Sequence, residues 1–138
     1  LVDFTTAYEE PIRRMCEVMQ GRRKRFFNQM QLGPMFPNWQ YERSRNLRRM
    51  RAHFERQLRL LGTDQTGVAF LHCVDEPNDY DAVLASGLVE YAQEMKREGN
   101  ARYVGFASHT IVTCHRFLTN TRMDFCMFSE NRPTTSTQ

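Results

Sequence analysis

Short apolar runs alternate with helical stretches along the whole chain, and this alternation limits the possible folds more than any other feature. Residues 1–6 read as a strand. A helix follows, entered through Glu9-Glu10-Pro11, where a first-turn proline loses no helical hydrogen bond. Ile12, Met15, Cys16 and Met19 recur at helical spacing, and Gly21 stops the segment before an apolar run around Phe26-Phe27 that reads as the second strand. A loop over 33–39 leads to the clearest helix, 44–61, whose Leu47, Met50, Phe54, Leu58 and Leu61 form one apolar stripe among arginines. Residues 66–71 make a third strand. One helix carries the stripe Val83, Leu84, Leu88, Tyr91, Ala92 and Met95, and Gly99 ends it. A fourth strand (102–107), a short helix (110–118) and a fifth strand (124–128) complete the pattern. Strands separated by helices pair in parallel through right-handed crossovers, so the class is α/β. Periodicity alone leaves a closed barrel and a doubly wound sheet both open.

At 138 residues the chain can bury a real core but is far shorter than the roughly 250 residues of a closed eight-unit barrel. Because Leu1-Val-Asp-Phe4 already reads as an interior strand, the start is expected to be a cut one. No apolar run approaches the roughly 18 residues that cross a bilayer, and no signal-peptide pattern stands at the front, so a cytoplasmic location is expected. Cys16, Cys73, Cys114 and Cys126 form no Cys-x-x-Cys pair and read as reduced thiols. A zinc set of Cys73, Cys114, His109 and His115 lacks the closely paired ligands of structural zinc, so no metal site is expected. The net charge of +3 conceals an asymmetry: residues 12–62 hold 13 of the 19 basic side chains against three acids, a net of +10. Gly21-Arg-Arg-Lys-Arg25 offers charge for a polyanion. Without an RNA-binding motif or stacking aromatics beside it, a solvated helical face is the better reading, and nucleic acid is not the expected partner.

Three separated pieces carry candidate chemistry: Asp3 with Tyr8, Leu71-His72-Cys73, and Gly99-Asn-Ala-Arg-Tyr-Val-Gly-Phe106. In this order, and within this strand and helix pattern, they resemble the interior strands of an aldo-keto reductase barrel. Leu60-Leu-Gly-Thr-Asp64, followed by the strand ending at His72, is similar to that family's third helix and fourth strand. Lys96-Arg-Glu-Gly99 with Arg102-Tyr-Val-Gly-Phe106 is similar to the next helix and strand. The resemblance covers about residues 1–131 and implies parallel (β/α) units forming an incomplete TIM-type barrel, about strands 2 to 6 of eight. Residues 132–138 are left as a non-matching polar tail. The resemblance is greatest to the branch that often carries a C-terminal iron-sulfur segment, and this chain shows no ligands for such a cluster.

The resemblance implies NADPH or NADH as cofactor and a small aldehyde or ketone as substrate. Tyr8 would donate the proton, Asp3 would support it electrostatically, and His72 would orient the carbonyl. A phenol with its usual pKa near 10 is a poor acid at neutral pH, so the family sets an Asp-Lys pair and a histidine around it. Here Gln31 stands at the lysine position, and a neutral amide cannot stabilise a tyrosinate as an ammonium does. Gly67 and Ala107 also depart from the family's aspartate and serine. Ser108, His109 and Asn131 remain as contacts to the cofactor. A chain this short also lacks the late loops that commonly bind phosphate, so it is expected to be inactive by itself. The alternative is a non-catalytic half-barrel that self-associates or binds a partner through open sheet edges. A basic interaction module using the arginine-rich helix ranks third.

Overall fold

The chain folds in the order β1 (Val2–Phe4), α1 (Glu9–Met19), β2 (Asn28–Leu32), β3 (Pro34–Met35), a 3-10 turn (Pro37–Trp39) and β4 (Glu42–Arg43), continuing with α2 (Leu47–Leu61) and β5 (Thr66–Leu71). It ends with α3 (Pro77–Ala85), α4 (Leu88–Arg97), β6 (Ala101–Ala107), α5 (Ile111–Asn120) and β7 (Phe125–Met127). The structure, a computed structural model, describes residues 2–4, 8–22 and 25–128. For Asp3 and Phe4 it describes the backbone alone. Asn131 and the 132–138 tail lie outside the described residues, as do Arg23 and Lys24 of the basic turn.

Five strands make one sheet in the order β1-β2-β5-β6-β7, every pair parallel, with β3 and β4 forming a separate antiparallel ribbon. Each sheet strand lies beside its predecessor, without the reversal of order that defines a doubly wound fold. The burial pattern points the same way. Met30 and Leu32 of β2, Ala69 and Leu71 of β5, and Val104 and Phe106 of β6 join one apolar cluster with residues from all five helices. These are alternate residues, so the helices cover one face of the sheet. The other alternate set, Gln29, Gln31, Val68 and Phe70, is also buried, yet stands outside that cluster. An inner face of this kind and an outer ring of helices are the layers of a TIM-type barrel, here incomplete.

Four local readings need correction. The second strand starts at Asn28, after the two phenylalanines rather than on them. Phe27 instead packs its ring against Tyr103, with centroids 6.2 Å apart. The loop over 33–39 contains β3 and the 3-10 turn. The arginine-rich helix begins at Leu47, because the Asn46 side chain accepts from the Arg49 amide at 3.0 Å and fixes the cap there. Residues 77–97 are two helices, not one. Ser86 Oγ donates to the Val83 carbonyl at 2.7 Å, and Gly87 takes a left-handed φ of 78° that lets the chain restart as α4.

Close packing also explains Gly105 on the inner face of β6. A Cβ there would lie 2.7 Å from the Phe125 carbonyl oxygen and 3.2 Å from the Phe70 ring. Gly105→Ala is expected to destabilise the chain by roughly 1–3 kcal/mol as the β6–β7 pair spreads. Urea unfolding measures this, and a wild-type midpoint would refute the register at Gly105 and Phe125.

Candidate active site

The C-terminal ends of β2, β5 and β6 meet at His72. β2 and β5 pair with Gln31 opposite Phe70 and Leu32 opposite Leu71, and the His72 amide extends the ladder to the Leu32 carbonyl at 2.8 Å. Paired residues share a face and so do residues two apart, which brings Gln31 and His72 together. His72 Nδ1 contacts Gln31 Oε1 directly. On the other side of the ring, His72 Nε2 shares a hydrogen bond with the Tyr41 hydroxyl at 3.0 Å. Gly33 makes room for this arrangement. A Cβ at Gly33, whose φ is 129°, would come within 3.2 Å of His72 Cβ and 3.3 Å of an Arg45 nitrogen.

A polar scaffold holds the loop that follows His72. Cys73 has φ 42°, a strained value for a residue with a Cβ. Its carbonyl accepts from Arg43 Nη1 and from Arg45 Nη2, each at 2.8 Å. Arg45 also grips Asp79 with two 2.7 Å bonds, and both side chains are largely buried. Asp75 turns the other way: it accepts from the His109 amide at 2.7 Å and from His109 Nδ1 at 3.1 Å. Its carbonyl takes the Thr110 and Thr113 hydroxyl groups.

These contacts set the titration of the site. Burial, followed by the Arg45 and Arg43 guanidiniums, pushes His72 below the ordinary histidine value. For Tyr41, partial burial and the neighbouring Cys73 raise the phenol, which keeps it an O–H donor. Burial alone would raise Asp75, but the His109 hydrogen bonds outweigh it and hold the carboxyl below its usual range.

The sequence candidates separate into two groups. Gln31 and His72 are in contact. Asp3 registers with Gln29 in the β1–β2 ladder. Tyr8 precedes α1, 4.4 Å from the Phe36 ring and stacked on Trp39 at 5.0 Å. From Tyr8 the aromatic series runs through Phe36 and Tyr41 to His72, so two rings intervene. Tyr8 also lines a cleft of 780 Å³ between α1, α2 and the 3-10 turn, together with Arg13, Trp39, Arg56 and Gln57. Among the described residues its hydroxyl makes no hydrogen bond. Ser108 is buried at the end of β6, and its hydroxyl exchanges hydrogen bonds with Thr110. His109, just beyond β6, is largely exposed beside Asp75. Cys73, Asp75 and His109 bring ligand-type atoms within 4.8 Å of one another. Arg43 stands 4.0 Å from Asp75, and the two guanidiniums on Cys73 oppose a dication, so we assign no metal there. Cys114 and Cys126 are free thiols that share a hydrogen bond with each other. On α2, Arg49, Arg51 and Arg56 each meet a carboxylate, of Glu42, Glu55 and Glu9.

Tyr41, Arg45 and Asp79 are site residues that the sequence did not single out. The only sign was indirect: Gly33-Pro34 and Pro37-Asn38 mark turns that fold the chain back over β2.

The profile of the Aldo/keto reductase family matches residues 2–131. The chain belongs to that family. Among curated proteins none matches it by sequence. Solved structures give the same fold. Aldo-keto reductase AKR11C1 from Bacillus halodurans, in its holo form, superposes with a TM-score of 0.74 at 19% identity, over 94% of this chain and 42% of that one. Glycerol dehydrogenase AKR11B4 from Gluconobacter oxydans gives 0.68 at 14% identity, over 87% and 37%. An aldo/keto reductase from Klebsiella pneumoniae, solved with NADP and acetate, gives 0.62 at 18%, over 87% and 37%. This aldo/keto reductase chain therefore spans about two fifths of their length. No helix among the described residues is long and apolar enough to cross a membrane.

Proposed function

We propose that the chain is the carbonyl-handling part of a cytoplasmic oxidoreductase that reduces an aldehyde or ketone with NADPH or NADH. The contact between His72 and Gln31 at the C-terminal end of adjacent strands supports this reading, in which they stand for the family's histidine and lysine. On this reading His72 orients the carbonyl oxygen, Tyr8 donates the proton and Asp3 supports Tyr8 electrostatically. A bound nicotinamide supplies hydride. His109, with Ser108 and Asn131, belongs to its side of the site. Gln31 lowers the acidity available to the phenol, and the chain alone is proposed to be inactive. In a barrel completed to eight units, His72→Ala is expected to lower carbonyl reduction about 10²- to 10⁴-fold. Steady-state kinetics decide it, and an unchanged rate would remove His72 from the chemistry. A second reading, a non-catalytic half-barrel that associates through its edges, is supported by β1 and β7, which each pair with one neighbour among the described strands.

A further inference from the structure

We propose that the cleft between α1, α2 and the 3-10 turn binds a small neutral arene that carries a carboxamide or lactam edge, held by Gln57 and Trp39. The seat adjoins Tyr8, which remains the proton donor of the reading above. Its occupation involves neither His72 nor a nicotinamide.

A buried amide and an exposed indole line the same cavity of 780 Å³. Gln57, on α2, is only 3% exposed, and its Oε1 is buried without a hydrogen-bond partner. Native cores rarely leave such an acceptor alone, because nothing compensates its desolvation. A carboxamide has a donor side and an acceptor side, so its complement is the same edge reversed: an N–H for Oε1 and a C=O for Nε2. That match holds whichever way the amide is turned. The indole stands on a strained turn. Asn38 and Trp39 have φ of 52° and 64°, and this left-handed region is unfavourable for a side chain as bulky as tryptophan. Trp39 stays 76% exposed even though its ring stacks on Tyr8 at 5.0 Å, which leaves room for a second flat ring beside the pair. Charge narrows the ligand class. Glu9 and Glu10 match Arg13 and Arg56 in number along the cleft, and Glu9 meets both arginines. Burial, followed by the Arg56 guanidinium, holds His53 below the ordinary histidine value, so it adds no cation at neutral pH. Among the described lining residues no charge is left over for a phosphate or a carboxylate, and a neutral ligand escapes the desolvation cost that an anion would meet.

The test uses the full chain at neutral pH with benzamide. Trp39 is the only tryptophan in the sequence, so its fluorescence reports on this cleft. Benzamide is expected to change that emission saturably and to bind about tenfold more tightly than benzoate or ethylbenzene, which lack the neutral amide. Gln57→Leu keeps the bulk and removes the carboxamide. It should weaken benzamide about tenfold, leave ethylbenzene unchanged, and raise the urea midpoint because the unpartnered acceptor is gone. Trp39→Ala removes the reporter, so binding is followed there by saturation transfer to the benzamide ring protons, and the lost stack should weaken it about three- to tenfold. An emission that never saturates, equal affinity for ethylbenzene, or a Gln57→Leu urea midpoint below that of wild type overturns the proposal. Failure of the His72→Ala kinetics overturns the oxidoreductase reading alone and leaves this binding unaffected.

Discussion

In a barrel completed to eight units, Gln31→Lys is expected to raise carbonyl reduction at neutral pH about 10²- to 10⁴-fold, the range that general acid–base assistance usually spans. Two effects act together. An ammonium stabilises a developing tyrosinate where a neutral amide does not. It also sets a donor beside His72 Nδ1, which leaves the ring its proton on Nε2 to donate to a carbonyl oxygen. The substitution has a structural cost, because Gln31 is only 4% exposed and a buried ammonium requires a compensating charge. The variant should therefore be less stable while it turns over faster. A pH series of kcat on both forms checks this, and an unchanged rate at every pH would mean that Gln31 does not occupy the lysine position.

Much of the fold was readable because it depends on spacing. Leu47, Met50, Phe54, Leu58 and Leu61 point one way from α2 whatever their neighbours are, and four of the five are buried in the structure. The end of β5 followed from the apolar run 66–71, which placed His72 just past the strand's C-terminal end. The reading failed where a local preference was overruled. Phe26 and Phe27 favour strand, yet Phe27 packs against Tyr103 before the ladder starts. At Ser86-Gly87 the apolar stripe continues through a break that only the left-handed glycine reveals. Tyr41 reaches His72 across 31 residues, and Arg45 reaches Asp79 across 34. No periodicity encodes contacts of that length. The contact between Gln31 and His72 could be inferred only through resemblance, since strand register is a property of the assembled sheet.

Arg45→Met is expected to cost roughly 3–5 kcal/mol, because it leaves the Asp79 carboxylate buried without its partner. Side-chain exposures are 14% for Arg45 and 9% for Asp79, and the two 2.7 Å bonds form a planar fork. Lysine at position 45 should recover little of the loss, since a single ammonium cannot supply both bonds and also reach the Cys73 carbonyl. A double variant, Arg45→Met with Asp79→Leu, should recover most of it, because an apolar pair of similar volume removes both desolvation costs. The consequence for His72 separates charge from packing. Loss of the Arg45 cation should raise the His72 titration toward the ordinary histidine value, and the double variant should leave it raised even as stability returns. Urea unfolding and histidine NMR on the same samples read both quantities. If Arg45→Met costs less than about 1 kcal/mol, the level of an exposed ion pair, the fork does not hold the loop, and the strained Cys73 backbone must then be supported by Arg43.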